Sequence, residues 1–441
     1  MPVLCADYKQ HAQSGAPLTH KSKNMELKRV VVTGMGAVTP LGNDVATTWI
    51  NLVNGVSGAA LIKKFDATAF RTQFGCEVKE FDPLQYFDRK DVRKYDLFTQ
   101  YALVAADQAV KDCGFDLEAI DLDRVGVIWG AGIGGMTTIE EAVSEYATGD
   151  GSPRFNPFFI PKLIADIAAG HISIRYGFRG PNYTTVAACA SSNVAISDAF
   201  NYIRLGKADA IVTGGSEAAL CASGLGGFVS MKALSTRNDS PETASRPFSK
   251  SRDGFVMGEG GVCLVLEEYE HAKARGAKIY AEVAGCGLTA DAHHMTAPHP
   301  EGLGAANVMK SAIEDAGIKP EDIDYINVHG TSTPLGDIAE VKAIEKVFGD
   351  HAYRLNISST KSMTGHMLGA AGAMEALASI FALKNGIVPP TINHAEDDVD
   401  ENFDPRLNFT FNKAQKREMN YALSNTFGFG GHNASVIFKK A

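Results

Sequence analysis

A chain of 441 residues, 45% hydrophobic and 21% charged, has the composition of a folded globular protein and the length of roughly two to three ordinary domains. Its formal net charge of -9 argues against a general nucleic-acid binder, and no apolar run reaches the length of a membrane span. Seven scattered cysteines without a C-x-x-C pair fit a reducing, cytoplasmic setting better than a disulfide framework or zinc site.

Residues 1–24 are polar and aperiodic, without a signal peptide's apolar core or a transit peptide's arginines, and read as a flexible N-terminal extension. The folded part opens at Met25, and Val30-Val-Val-Thr-Gly-Met-Gly36 predicts the first strand. Within it, Thr33-Gly34-Met35-Gly36 looks like a nucleotide-binding turn, but the glycine spacing fits neither common fingerprint. Asp88–Lys94 is charged and leads into an apolar-periodic run through Tyr101, Val104 and Ala105, a helical region with one basic edge. Val125–Gly130 reads as a buried strand, after which Gly130, Gly132 and Gly135 satisfy G-x-G-x-x-G. A dinucleotide site also needs an acidic residue ending a second strand, and Asp150, at the right distance, lies in a turn, so that reading is set aside.

Tyr183-Thr-Thr-Val-Ala-Ala-Cys189-Ala-Ser-Ser-Asn193 is a short strand running into small residues, one cysteine and helix-capping residues. Val194, Ile196, Ala199, Phe200 and Ile203 then follow a helical period up to Gly206. Cys189 is therefore expected at a helix N-terminus, where unpaired N–H groups stabilise a thiolate. Taken alone, a cysteine there is more often just a small buried residue. Ala208–Ser216 is a strand and turn, Arg246–Gly260 a loop, Val262–Leu266 a strand, and Glu267–Arg275 a charged helix closing the first half.

From Ile279 the order of elements resembles the first half. A strand over 279–285, a helix over Ala305–Ala316, strands over Tyr325–His329 and Asn356–Thr360, a helix from Ala370 to Leu383 stopping at Gly386, and strands over Tyr421–Asn425 and Ala434–Phe438 follow one another. Strands alternating with helices predict an α/β fold with mainly internal strands, duplicated, with halves at 25–277 and 278–441.

Three turns need a common explanation: Cys189; Asn327-Val-His329-Gly-Thr-Ser-Thr333; and Lys361-Ser-Met-Thr-Gly-His366. A lone histidine is usually structural, but each of these is expected to end a strand beside glycine, facing a crevice at the strand C-termini. Ala-Ala-Cys189-Ala-Ser-Ser, His329-Gly-Thr-Ser-Thr and Lys-Ser-Met-Thr-Gly-His366, in this order, resemble the Cys-His-His set of β-ketoacyl-[acyl-carrier-protein] synthases. The similarity runs from about Val30 to the C-terminus and is greatest to synthase II-like members.

The resemblance implies the thiolase-like layered αβαβα fold and decarboxylative condensation of an acyl thioester with malonyl-[acyl-carrier-protein], as a homodimer without cofactor or metal. By it, Cys189 is the nucleophile, with Ser191 and Ser192 shaping the helix start. The N–H groups of Cys189 and Phe429 form the oxyanion hole, and neutral His329 and His366 donate to the malonyl thioester oxygen. Lys361 is the accompanying cation and Glu375 its ion-pair partner. Thr331 and Thr333 bind the phosphopantetheine arm, Phe429 gates the acyl pocket and Ile133 lines it. The resemblance also makes Lys90, Arg93, Lys94, Arg154 and Lys232 a docking patch for the acidic acyl carrier protein.

Three residues depart from the family pattern: Ala187 where threonine is usual, Phe155 after Arg154 where a basic residue is usual, and His432 in place of threonine beside the gate. His293, His294 and His299 lack partners at ligand spacing and read as a loop cluster. A discrete polyketide ketosynthase and a non-catalytic chain-length subunit are the rival readings; retention of Cys189, His329, His366 and Lys361 argues against the second.

Overall fold

A computed structural model of the chain describes residues 26–441. The extension expected over residues 1–24 lies outside the described residues.

The ten principal strands are β1 (Val30–Val38), β2 (Val125–Gly130), β3 (Asn182–Thr185), β4 (Ala210–Glu217), β5 (Gly260–Glu268), β6 (Ala281–Ala290), β7 (Tyr325–Asn327), β8 (Asn356–Ser358), β9 (Tyr421–Gly428) and β10 (His432–Lys440). They form one sheet in the order β8-β7-β9-β10-β6-β1-β5-β4-β2-β3. Read outward from the middle, β1-β5-β4-β2-β3 and β6-β10-β9-β7-β8 are the same path walked twice. The directions match as well: in each half the first two pairings are antiparallel and the outer two parallel. The halves join where Val30, Val31 and Val32 pair with Val283, Glu282 and Ala281.

Five helices frame this sheet: α1 (Leu97–Cys113), α2 (Ser191–Arg204), α3 (Leu303–Asp315), α4 (Pro334–Phe348) and α5 (Ala371–Asn385). α1 covers β1 and β5, and α3 covers β6 and β10, as outer layers. α2 and α5 pack on each other between the two halves. Their layer is apolar nearly all round: α5 buries Ala371, Met374, Leu377, Ile380 and Leu383 in a cluster shared with Ile196 and Ile203 of α2, as a helix must when protein lies on every side. This is the layered, duplicated α/β arrangement expected from the element order.

One local reading gains its physical reason and another changes. The Thr33–Gly36 segment is strand interior: a Cβ on Gly34 or Gly36 would run into the Ala109 or Ala105 carbonyl of α1, so the glycines serve helix-on-strand approach. The same device recurs in the second half, where Gly285 and Gly287 of β6 lie under the Ala312 and Val308 carbonyls of α3. Glu267 and Glu268, expected to open a helix, instead complete β5, and the helix spans only Tyr269–Ala274. The reason is pairing: the buried Glu267 carboxylate meets Arg275 at 2.6 Å and His271 Nδ1 at 2.6 Å, while Glu268 accepts the His271 N–H at the helix start.

Candidate active site

Cys189 sits where β3 turns into α2. Ala188–Ala190 makes one 3-10 turn, with Ala188 in the left-handed region at φ 47, and α2 follows directly. Ser191 fixes the turn by accepting the Ala187 N–H at 2.9 Å and donating to the Ala188 carbonyl at 2.6 Å. Ser192 reaches across to α5 and accepts the Ala373 N–H at 2.9 Å, tying the cysteine's helix to the second half.

The thiol's charge state departs from expectation. Burial pushes the Cys189 thiol up to about 12, with the Glu217 carboxylate acting in the same direction; Lys361 and the N–H groups of Phe429 and Cys189 pull the other way. Desolvation outweighs the helix terminus, so the resting sulfur is a thiol rather than the expected thiolate.

His329 follows β7 by two residues. Its backbone is held from α4, where Glu340 accepts the His329 and Gly330 N–H groups, each at 2.8 Å. His366 does not end a strand. A one-turn helix, Lys361–Thr364, intervenes after β8, and His366 is instead pinned by the first half, its N–H donating to the Val256 carbonyl at 2.7 Å and its carbonyl accepting the Gly258 N–H at 2.9 Å. The two imidazoles meet edge to face, ring centres 5.3 Å apart. Both are held well below the ordinary histidine range by burial first and by the Lys361 cation second, so both are neutral. Lys361, 2% exposed, donates to Glu375, as expected. Burial carries Glu375 up to about 7 against the pull of that cation.

Cys189, His329, His366 and Phe429 line one cavity of about 430 Å³, with Thr331, Thr333 and Lys232 along its walls. Thr331 and Thr333 hydroxyls lie 3.0 Å apart. Phe429 rides a turn between β9 and β10 that is tied to a second loop by the Gly430 N–H on the Met295 carbonyl at 2.7 Å. Ile133 is not among the residues lining this cavity; it lies on the turn after β2 with its side chain partly open to the surface of the single chain. Lys90, Arg93 and Arg154 are exposed away from the cavity wall, and Lys94 is tied to Asp91 at 2.7 Å, leaving Lys232 as the cation of that set on the wall. His293 and His299 rings face each other at 5.2 Å, and among the described residues no group of three or more His, Cys, Asp or Glu could hold a metal ion.

Reading the sequence missed Glu340 and Glu217. Each is a buried carboxylate with no cation partner among the described residues: Glu340, on the cavity wall, accepts the His329 and Gly330 N–H groups and the Asn425 side-chain amide, and Glu217 lies behind the turn carrying Ile133 and accepts its backbone N–H groups. Glu217 also disposes of the G-x-G-x-x-G match, because its carboxylate already occupies the N–H groups of Gly132 and Gly134 that a phosphate would need.

The family models "Beta-ketoacyl synthase, N-terminal domain" and "Beta-ketoacyl synthase, C-terminal domain" match residues 27–272 and 280–395. A protein of Coxiella burnetii named 3-oxoacyl-[acyl-carrier-protein] synthase 2 is 49% identical over 416 residues, 94% of this chain and 99% of its own length. A β-ketoacyl synthase crystal structure from Burkholderia phymatum superposes with a TM-score of 0.86 at 37% identity, covering 94% of this chain and 100% of that one. A type II polyketide synthase acyl-carrier protein in complex with its ketosynthase, bound to the hexaketide, matches at TM-score 0.85 and 34% identity over 94% and 100%.

Proposed function

The chain belongs to the β-ketoacyl synthase family, and from that premise we propose that Cys189, His329 and His366 carry out its decarboxylative Claisen condensation. An acyl thioester and malonyl-[acyl-carrier-protein] give 3-oxoacyl-[acyl-carrier-protein] and CO2, the elongation step of bacterial-type fatty acid synthesis. The higher identity to the synthase 2 relative than to the polyketide ketosynthase favours the fatty acid reaction.

Cys189 Sγ attacks the acyl thioester carbonyl, the carbon–sulfur bond to the carrier breaks, and the thiol proton leaves with the carrier's sulfur. The N–H groups of Cys189 and Phe429 receive the tetrahedral oxyanion; their favouring of the sulfur anion supports this placement. Malonyl-carrier then enters, its pantetheine arm hydrogen-bonded by Thr331 and Thr333. His329 and His366 donate to its thioester oxygen as CO2 departs. The resulting enolate carbon attacks the acyl carbon, the carbon–sulfur bond to Cys189 breaks, and the departing thiolate takes up a proton from solvent to restore the thiol. Neutral imidazoles are required here, because each must be a donor without carrying a second charge beside Lys361. Glu375 holds that cation, Phe429 gates the site, and Ile133 bears on chain length.

The partner is an acyl carrier protein, met by Lys232 at the cavity and by Lys90, Arg93, Lys94 and Arg154 around it. A homodimer is supported by β3, which ends the sheet with one edge unpaired and continues into Val186, 61% exposed. A cytoplasmic setting agrees with the free thiols of the six described cysteines, and no helix among the described residues is long and apolar enough to cross a membrane.

The observation that carries this reading is the meeting of one cysteine and two neutral histidines in a single cavity. Mass spectrometry after incubation with acyl-carrier protein tests it. An acyl adduct on Cys189 that vanishes in Cys189→Ala is expected, and an unchanged adduct in that variant would defeat the mechanism.

A further inference from the structure

Glu217, the last residue of β4, is 0% exposed, has no cation paired with it among the described residues, and does not line the cavity of Cys189. Its Oε2 accepts the N–H groups of Gly132 at 2.8 Å and Gly369 at 3.0 Å. Its Oε1 accepts those of Ile133 at 3.1 Å and Gly134 at 3.2 Å. The donors come from two segments remote in sequence, the turn after β2 and the turn before α5. Even with four donors, burial carries the carboxyl up to about 7. Such a group weakens the fold relative to an apolar one, so what it does for the site is the question.

Geometry answers it. A Cβ on Gly132 would lie 2.8 Å from Glu217 Oε2 and 3.2 Å from the Ala188 carbonyl, and one on Gly369 would lie 2.6 Å from Oε2. The carboxylate, the turn bearing Ile133, the turn leading into the histidine-side helix and the turn bearing Cys189 are thus in mutual contact. Moving the carboxylate moves the first two against the third.

We propose that Glu217 is a positioning residue for acyl-chain selectivity: by tying the Gly132–Gly134 turn to Gly369, it fixes the turn carrying Ile133, which lies outside the cavity of Cys189 in the single chain and which the reading above assigns to the acyl chain. The inference rests on the condensation reading above. A fixed apolar wall discriminates between chains differing by methylenes, and a loosened one does so less. Gln cannot replace the carboxylate, since its amide brings two N–H donors to a place where four N–H groups already point inward.

Rates of Cys189 acylation by hexanoyl-, decanoyl- and hexadecanoyl-carrier protein test this in the full-length protein. In Glu217→Gln the ratio of fastest to slowest chain is expected to shrink by about tenfold, with the change carried by KM rather than kcat. Gly132→Ala, which displaces the carboxylate from the turn side without removing its charge, is expected to shrink the ratio in the same direction and decides the matter should the Gln variant not fold. An unchanged ratio, or all three chains slowed by one common factor, would overturn the proposal. A wild-type protein giving no Cys189 adduct with any of the three would overturn the condensation reading instead.

Discussion

At the scale of single residues, the site is governed by desolvation and one buried cation. Burial holds the Cys189 thiol up at about 12 while Lys361 lowers it, so alkylation by iodoacetamide should keep accelerating as pH rises through 9, without a plateau near neutrality. Lys361→Met removes the cation and should move that profile to still higher pH; a plateau below pH 8 in the wild type would contradict this. Glu340, pushed up to about 7 by burial, binds its proton more tightly folded than unfolded. Its contribution to stability is therefore fully present below the unfolded carboxyl range and lost as pH rises toward 7. Thermal unfolding from pH 5 to 8 should accordingly show the wild type losing ground to Glu340→Gln as pH increases. Cys189, His329 and His366 were legible because each lies in a contiguous run of small and turn residues. Glu217 and Glu340 were not, because a single acid after a strand or on a helix reads the same whether it meets water or buried N–H groups.

The elements show how the two halves follow one path. In each, the first strand carries glycines two residues apart beneath a helix carbonyl, Gly34 and Gly36 under α1, Gly285 and Gly287 under α3. Gly36→Ala and Gly287→Ala should each destabilise the fold by about 1–3 kcal/mol, the usual cost of overpacking, measured by denaturant unfolding; an unchanged midpoint would mean the helix yields freely. Strand and helix order could be read from periodicity, since both halves keep it. The β1–β6 seam could not, because edge pairing depends on where the two halves meet and leaves no periodic mark. His366 was misplaced for a similar reason: its backbone is paired to Val256 and Gly258, more than a hundred residues earlier.

For the whole molecule, duplication accounts for the site. The repeated path brings the turn after β3 and the turns after β7 and β8 together, with α2 and α5 back to back between them. The first half then offers a sulfur and the second a pair of donors. The unpaired edge of β3 should join its counterpart in a second copy, and sedimentation should give twice the monomer mass, falling toward monomer in Val186→Lys; a monomeric wild type would contradict the proposed dimer. The division of labour between halves is tested most directly by following two readouts in one reaction, Cys189 acylation by mass and CO2 release from malonyl-carrier protein. Removing one oxyanion donor costs about 10²–10³ in rate, so His329→Ala and His366→Ala should each retain the acyl adduct while losing CO2 release by at least that factor. Release at the wild-type rate in both variants would contradict it.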